Sequence, residues 1–243
     1  MLVPVAMIAA AALGRFYLER PAKPAPLADK AKEEQVPGQP TAPKPKPKGK
    51  SKSGLGKAKD DGLAWLATVH RDTIGVIGPS GMPPAVAYAQ LTLETAYGTA
   101  GRGLPWGVKG KGDLGSQSVV THEVFDHNPT KIVDQFARYS SVAKAAEGYV
   151  NFLGGKRYRE GWSLRARPES WAIWVWGVGY ATADSYIVAL RDTSRHFADW
   201  MGDQSLRLNF TADELAFARE LARLPAGDRR RQATRAHYFG GTV

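Results

Sequence analysis

The sequence predicts an α+β fold: a mostly helical domain with one small β-hairpin lobe, preceded by a disordered linker. Three observations point there. Apolar spans of helical length recur from residue 60 onward, most with a capping or terminating signal. One stretch, residues 116–141, is instead rich in β-branched and aromatic residues around a turn. Residues 21–59 carry almost no large apolar side chains.

The first twenty residues, "MLVPVAMIAAAALGRFYLER", hold an uncharged apolar run from Leu2 to Gly14. That is short for a membrane span and about the length of a signal-peptide core. No basic residue precedes the run, whereas Arg15, Arg20 and a lysine-rich segment follow it, the reverse of a standard signal. Residues 1–20 therefore read either as a signal or weak anchor, or as a short assembly helix. Residues 21–59 hold ten lysines against three acids, so +7 of the chain's formal +10 lies here. Such a segment cannot bury enough surface to offset the entropy of ordering. It reads as a partly polyproline spacer, with a loose contact to an anionic polymer or membrane as the alternative. Because the excess charge is not spread on a folded face, no specific nucleic acid partner is expected. The absence of cysteine excludes disulfides and thiolate metal sites.

Asp60 or Asp61 caps a first helix that Gly75 or Gly78 ends. Pro83 and Pro84 suit the first turn of a second, apolar helix running to Tyr97. A glycine-rich loop, "GTAGRGLPWGVKGKGDLG", follows. "SQSVVTHEVFD" and "KIVDQFARYSS" flank the turn signal "HNPT" and read as a β-hairpin. Ser141 caps "VAKAAEGYVNFL", which Gly154 and Gly155 stop. Pro168 opens "PESWAIWVWGVG", whose Trp171, Trp174 and Trp176 read first as core. Thr182 caps "ADSYIVALRDTSRHFADWM". Thr211 and Glu214 form a capping box for the next helix, and the basic tail from Gly227 reads as loose. The organisation expected is 1–20, linker 21–59, a catalytic domain 60–202, and a C-terminal helix and tail 203–243.

Two acids stand at loop borders where clefts form: Glu94 near the end of the apolar second helix, and Glu123 on the hairpin. Glycoside hydrolysis needs a protonated carboxylic acid beside the leaving oxygen and, in most enzymes, a second carboxylate. An acid among Leu91, Leu93, Ala96 and Tyr97 is placed to keep its proton. One on a polar strand beside His122 is placed to be ionised. Spacing alone equally suits Glu94 in an ion pair and Glu123 in solvent.

The motif "PPAVAYAQLTLETAYGTAGRG", with Pro84, Ala89-Gln90, Glu94, Tyr97 and Gly98, resembles the signature of the bacterial glucosaminidases of glycoside hydrolase family 73. That family includes flagellar rod-cap muramidases and many autolysins. The resemblance continues in order through Trp106-Gly107-Val108-Lys109-Gly110, then Thr121 and Glu123. It ends with Phe136, Tyr139, Ser140 and Ser141, and "GYATADSY" with Tyr180, Thr182 and Tyr186.

It implies a lysozyme-like domain that hydrolyses the β-1,4 bond after N-acetylglucosamine in peptidoglycan. It implies Glu94 as general acid and Glu123 as second carboxylate on a mobile lobe. Tyr97, Trp106, Lys109, Tyr180 and Tyr186 are then substrate-binding residues. Asp126 takes the place of Glu123 if the strand carries a bulge. The glycan strand is the expected partner, with no cofactor. His122 and His127 lack a third ligand, so no metal is expected. The expected location is the cell envelope, or a phage virion or lysis protein. The rival readings are an enzyme cutting the other linkage, as a muramidase or lytic transglycosylase, and a non-catalytic wall-binding or virion structural protein.

Overall fold

The computed structural model describes residues 53–125 and 128–233. Residues 1–52, Asp126, His127 and 234–243 lie outside the described residues, and with them the expectations for the N-terminal segment, most of the linker and Asp126. In order come α1 (Ser53–Ile77), α2 (Pro84–Glu94), β1 (Ser116–Phe125), β2 (Asn128–Ala137) and α3 (Val142–Leu153). They are followed by α4 (Lys156–Arg159), α5 (Pro168–Gly177), α6 (Tyr186–Met201), α7 (Ala212–Ala222) and α8 (Ala226–Ala233). Among the described residues this is a mostly helical α+β fold with one two-stranded sheet. The first helix starts at Ser53, seven residues before the predicted cap.

Helix α2 is the centre of the core. Every residue from Ala85 to Glu94 is buried, as a helix apolar on all faces requires. It packs against α1, α5 and α6. It ends at Glu94, three residues earlier than predicted. Ala96, Tyr97 and Gly98 turn left-handed, with φ of 47°, 59° and 71°. The Thr95 hydroxyl donates to the Leu91 carbonyl at 2.7 Å and accepts from Gly98 N at 3.1 Å. The turn is forced tight because α1 runs directly across it. A Cβ on Gly62 would lie 2.2 Å from the Tyr97 carbonyl oxygen, and one on Gly98 would lie 2.3 Å from that of Gly62.

The hairpin pairs Ser116 with Ala137 through to Phe125 with Asn128. The reversal therefore falls at residues 126–127, and the "HNPT" expected as the turn lies largely in β2. Side chains alternate: Thr121 and Glu123 are buried on the inner face, while Val120 and Val133 are exposed on the outer one. The base is fastened by backbone bonds to the preceding loop, Ala137 N to Val108 O at 2.8 Å and Gly110 N to Gln135 O at 3.0 Å.

Ser141 caps α3 and the Thr211/Glu214 box caps α7, as the sequence predicts. Thr182 does not cap α6. That helix starts at Tyr186 after Ser185, whose side chain makes no cap bond, and Thr182 belongs to the preceding loop. The tail expected to be loose contains α8, whose Arg229 is 5% exposed. Leu206, Leu208, Phe217, Leu221 and Ala233 join the same apolar cluster as Trp171, Trp174 and Trp176. No helix among the described residues is long and apolar enough to cross a membrane.

Substituting Gly62→Ala is expected to cost about 1–3 kcal/mol by overpacking α1 against the 95–98 turn. The check is a lower urea midpoint with an unchanged m-value.

Candidate active site

Glu94 is the last residue of α2 and is 2% exposed. One turn earlier on the same helix lies Gln90, wholly buried and fully engaged. Its amide nitrogen donates to the Tyr186 hydroxyl at 2.9 Å, and its amide oxygen accepts from the Tyr149 hydroxyl at 2.5 Å. The neighbouring Tyr180 hydroxyl donates to the Trp106 carbonyl at 2.9 Å. Burial pushes the phenols of Tyr180 and Tyr186 well above their ordinary value, and the negative charge of Glu94 acts on both in the same direction. Glu94 thus sits beside a wall of tyrosines that α2, α3 and the 180–186 segment build together.

Trp106 adopts φ 62°, a costly conformation for a bulky side chain. Three non-local contacts hold it. Its indole N–H donates to the Ala87 carbonyl at 2.7 Å, its ring stacks on Tyr149 with centroids 5.3 Å apart, and Tyr180 binds its carbonyl. Expected to bind substrate, Trp106 is 0% exposed and presents no accessible face here. Tyr180 and Tyr186 are equally enclosed. Tyr97 alone of the four expected aromatics is partly open, with its ring edge-on to His196.

Glu123 faces inward from β1 and is 0% exposed, so it does not take the solvent position that spacing alone left open. Its Oε1 accepts from Lys109 Nζ at 2.8 Å. The same ammonium pairs with Asp134 on β2. Lys109, expected to bind substrate, bridges two carboxylates here. Burial pushes the Glu123 carboxyl above the usual range. The hydrogen bond and charge of Lys109 pull it back, as does the hydroxyl of Thr182 from the other lobe, while the Asp134 charge pushes it up.

The structure brings Glu94, Tyr180 and Tyr186 together, and joins Glu123 to Lys109. Sequence reasoning missed Asp134, Tyr149 and the role of Thr182, whose only sequence signal was membership of "GYATADSY". An open groove of about 560 Å³ adjoins Lys109, lined also by Lys111, Asp113, Tyr139, Lys144 and Phe152. Its mix of rings and polar groups is of the kind that ligand clefts use. No group of three or more metal-ligating side chains occurs among the described residues.

Residues 78–198 match the glucosaminidase family model, described as mannosyl-glycoprotein endo-beta-N-acetylglucosaminidase. No curated protein matches the chain. Two similar solved structures are an N-acetylmuramoyl-L-alanine amidase from Staphylococcus aureus and the catalytic domain of the autolysin Auto from Listeria monocytogenes. The first is 20% identical over 56% of this chain and 42% of that one, with a TM-score of 0.49. The second is 23% identical over 60% of this chain and 88% of that one, with a TM-score of 0.45. The chain thus spans less than half the length of the amidase.

Removing the clamp gives a pH-dependent outcome. With Lys109→Met, Glu123 is buried without its cation, and unfolding stability at neutral pH is expected to fall by about 3 kcal/mol. A carboxyl whose folded pKa is raised opposes folding when ionised and not when protonated. The deficit should therefore shrink as pH falls from neutrality toward the ordinary carboxylate range. Urea melts across that range check it, and a pH-independent deficit overturns the assignment of the clamp to Glu123.

Proposed function

The chain belongs to the glucosaminidase family of glycoside hydrolases, and on that premise we propose that it hydrolyses peptidoglycan at the β-1,4 bond after N-acetylglucosamine, with Glu94 as general acid and Glu123 as second carboxyl. The observation that carries the reading is the environment of Glu94. A carboxyl that is 2% exposed, at a helix end and against the Tyr180 and Tyr186 phenols, is largely stripped of solvent. Desolvation favours the protonated form of a carboxyl, the form in which it donates to the departing glycosidic oxygen.

Glu123 answers the second requirement. Lys109 and Thr182 favour its charged form against burial, and the charged form is what stabilises an oxocarbenium ion or takes a proton from water. Its place on a two-stranded ribbon, bridged at Phe136 to Lys109, lets it approach and leave as one piece with Lys109. Both carboxyls are closed off from water here, so on this reading a glycan reaches them after a movement that opens the site. The groove beside Lys109, with Tyr139 and Phe152 along it, offers a continuous surface for the strand outside that closure. A substrate of this kind places the site of action at the bacterial envelope, whether the chain is exported or delivered by a virion.

The test is digestion of purified sacculi by the full chain, followed by reduction and mass analysis of the released fragments. Fragments ending in reduced N-acetylglucosamine are expected. Glu94→Gln should abolish their release while leaving the thermal unfolding temperature within a few degrees. Fragments ending in muramic acid, or carrying an anhydro ring, overturn the linkage. Undiminished release by Glu94→Gln overturns the acid.

A further inference from the structure

Tyr139 follows β2 and lies half-buried along the groove that Lys109 borders. Two glycines make its seat. A Cβ on Gly148, inside α3, would fall 2.1 Å from the Tyr139 hydroxyl oxygen, and one on Gly112 would fall 2.8 Å from Tyr139 Cδ1. Glycine inside a helix is less stable than alanine, so the bare backbone at 148 is a concession that lets the ring lie flush on α3. The segment that follows is fixed as well. Ser140 donates to the Asp113 carboxylate from its backbone nitrogen, at 3.1 Å, and from its hydroxyl, and Ser141 caps α3. One turn beyond Gly148, on the same helix face, Phe152 lines the groove too. Its ring leans on those of Tyr158 and Tyr180, with centroids 5.4 Å and 6.3 Å away. Lys109 bounds the groove and bonds Glu123 at 2.8 Å. The groove is thus continuous with the candidate site, yet neither Glu94 nor Glu123 lines it.

We propose that Tyr139 and Phe152 form a sugar platform away from the scissile bond, on which a further pyranose of the glycan strand rests, so that the chain selects long strands over short ones. The inference rests on the reading of the chain as a peptidoglycan hydrolase. Three features support it over a packing role. A pyranose has an apolar face of C–H groups and a polar rim, and it fits a flat apolar surface with hydrogen-bonding groups around it. The groove offers both, two rings with Lys111, Asp113 and Asn151 beside them. Rings placed for packing are enclosed, as Trp106, Tyr149 and Tyr158 are, whereas Tyr139 and Phe152 stay partly open where they line the groove. The glycine seat also orders the Tyr139 ring before any ligand arrives, which removes a cost of binding. Because neither carboxyl lines the groove, the sugar held there is not one of the two joined by the bond to be cut. A strand too short to reach it forfeits the contact.

Three variants of the full chain test it on soluble peptidoglycan strands of two lengths, a tetrasaccharide and long strands. With Tyr139→Leu, KM for long strands should rise about tenfold, the order expected when one ring face is no longer covered. The contact is made equally in the ground and transition states, so kcat should hardly change, and the kinetics on the tetrasaccharide should stay as they are. Gly148→Ala keeps the ring in the chain but pushes it off its seat, and should raise KM for long strands in the same way. Tyr139→Phe keeps the ring face and should stay within about twofold of the unaltered protein. Thermal unfolding shows that each variant is folded. An unmoved KM in folded Tyr139→Leu, an equal loss on short and long strands, or a loss in Tyr139→Phe as large as in Tyr139→Leu overturns the platform. A second arm titrates long strands into isotope-labelled unaltered protein and follows the ring signals of Tyr139 and Phe152 by NMR. Shifts of both rings support the platform, and their absence at saturating strand overturns it. If the unaltered protein releases no glycan ends, the functional reading fails, and the NMR arm still decides whether the two rings hold a glycan.

Discussion

Two carboxyl groups held away from water constrain most of what surrounds them. Neither Glu94 nor Glu123 is more than 2% exposed, and a buried charge without compensation costs several kcal/mol. The fold meets that cost differently at the two sites. Glu123 receives an ammonium that it shares with Asp134 and a hydroxyl from the opposite lobe. Glu94 is placed at the end of a buried helix, beside Tyr180 and Tyr186. Gln90 takes both tyrosine hydroxyls, and Thr95 closes on the helix backbone. On the proposed reading, an acid and its partner need opposite protonation states.

Strain collects in the same place. Three non-glycine residues, Ala96, Tyr97 and Trp106, have φ between 47° and 62°, and all lie within a dozen residues after Glu94. Each such residue costs of order 1–3 kcal/mol. The surrounding structure over-determines them. Gly62 and Gly98 bring α1 and the turn together at a distance no other residue allows, and Tyr149, Tyr180 and Ala87 fix Trp106 from three directions. Pinning the turn in this way fixes where α2 ends, and hence where the Glu94 side chain begins.

Locality decides what the sequence reveals of this arrangement. Ser141 with Lys144 and Thr211 with Glu214 are contacts three residues apart, and both caps are legible as short patterns. The hairpin is legible from its composition, though its turn is displaced because Asn128 and Pro129 pair in β2. The end of α2 is not legible, since the left-handed turn is imposed by α1 more than thirty residues earlier. Trp106 reads as a loop aromatic, and only its distant partners bury it. Lys109 reads as a substrate cation, because nothing in "WGVKG" announces a carboxylate fourteen residues on and another on the next strand. Arg229 reads as one more charge in a basic tail. The positions of Glu94 and Glu123 were legible through resemblance to a family, whereas the clamp at Glu123 emerges only in three dimensions.

The distribution of contacts on the hairpin argues how it opens. At its base, backbone bonds to Val108 and Gly110 join burial of Phe136 against Leu104 and Val119. Apolar burial and backbone bonds of this kind are lost only at real cost. Nearer the tip, the contact across the lobes is polar, between Glu123 and Thr182. Exchanging such a contact for water changes the free energy little. The ribbon is therefore strongest where it joins the helical lobe and weakest over the site. Lys109 belongs to the strong end, so a rotation about that base carries the ammonium along with Glu123.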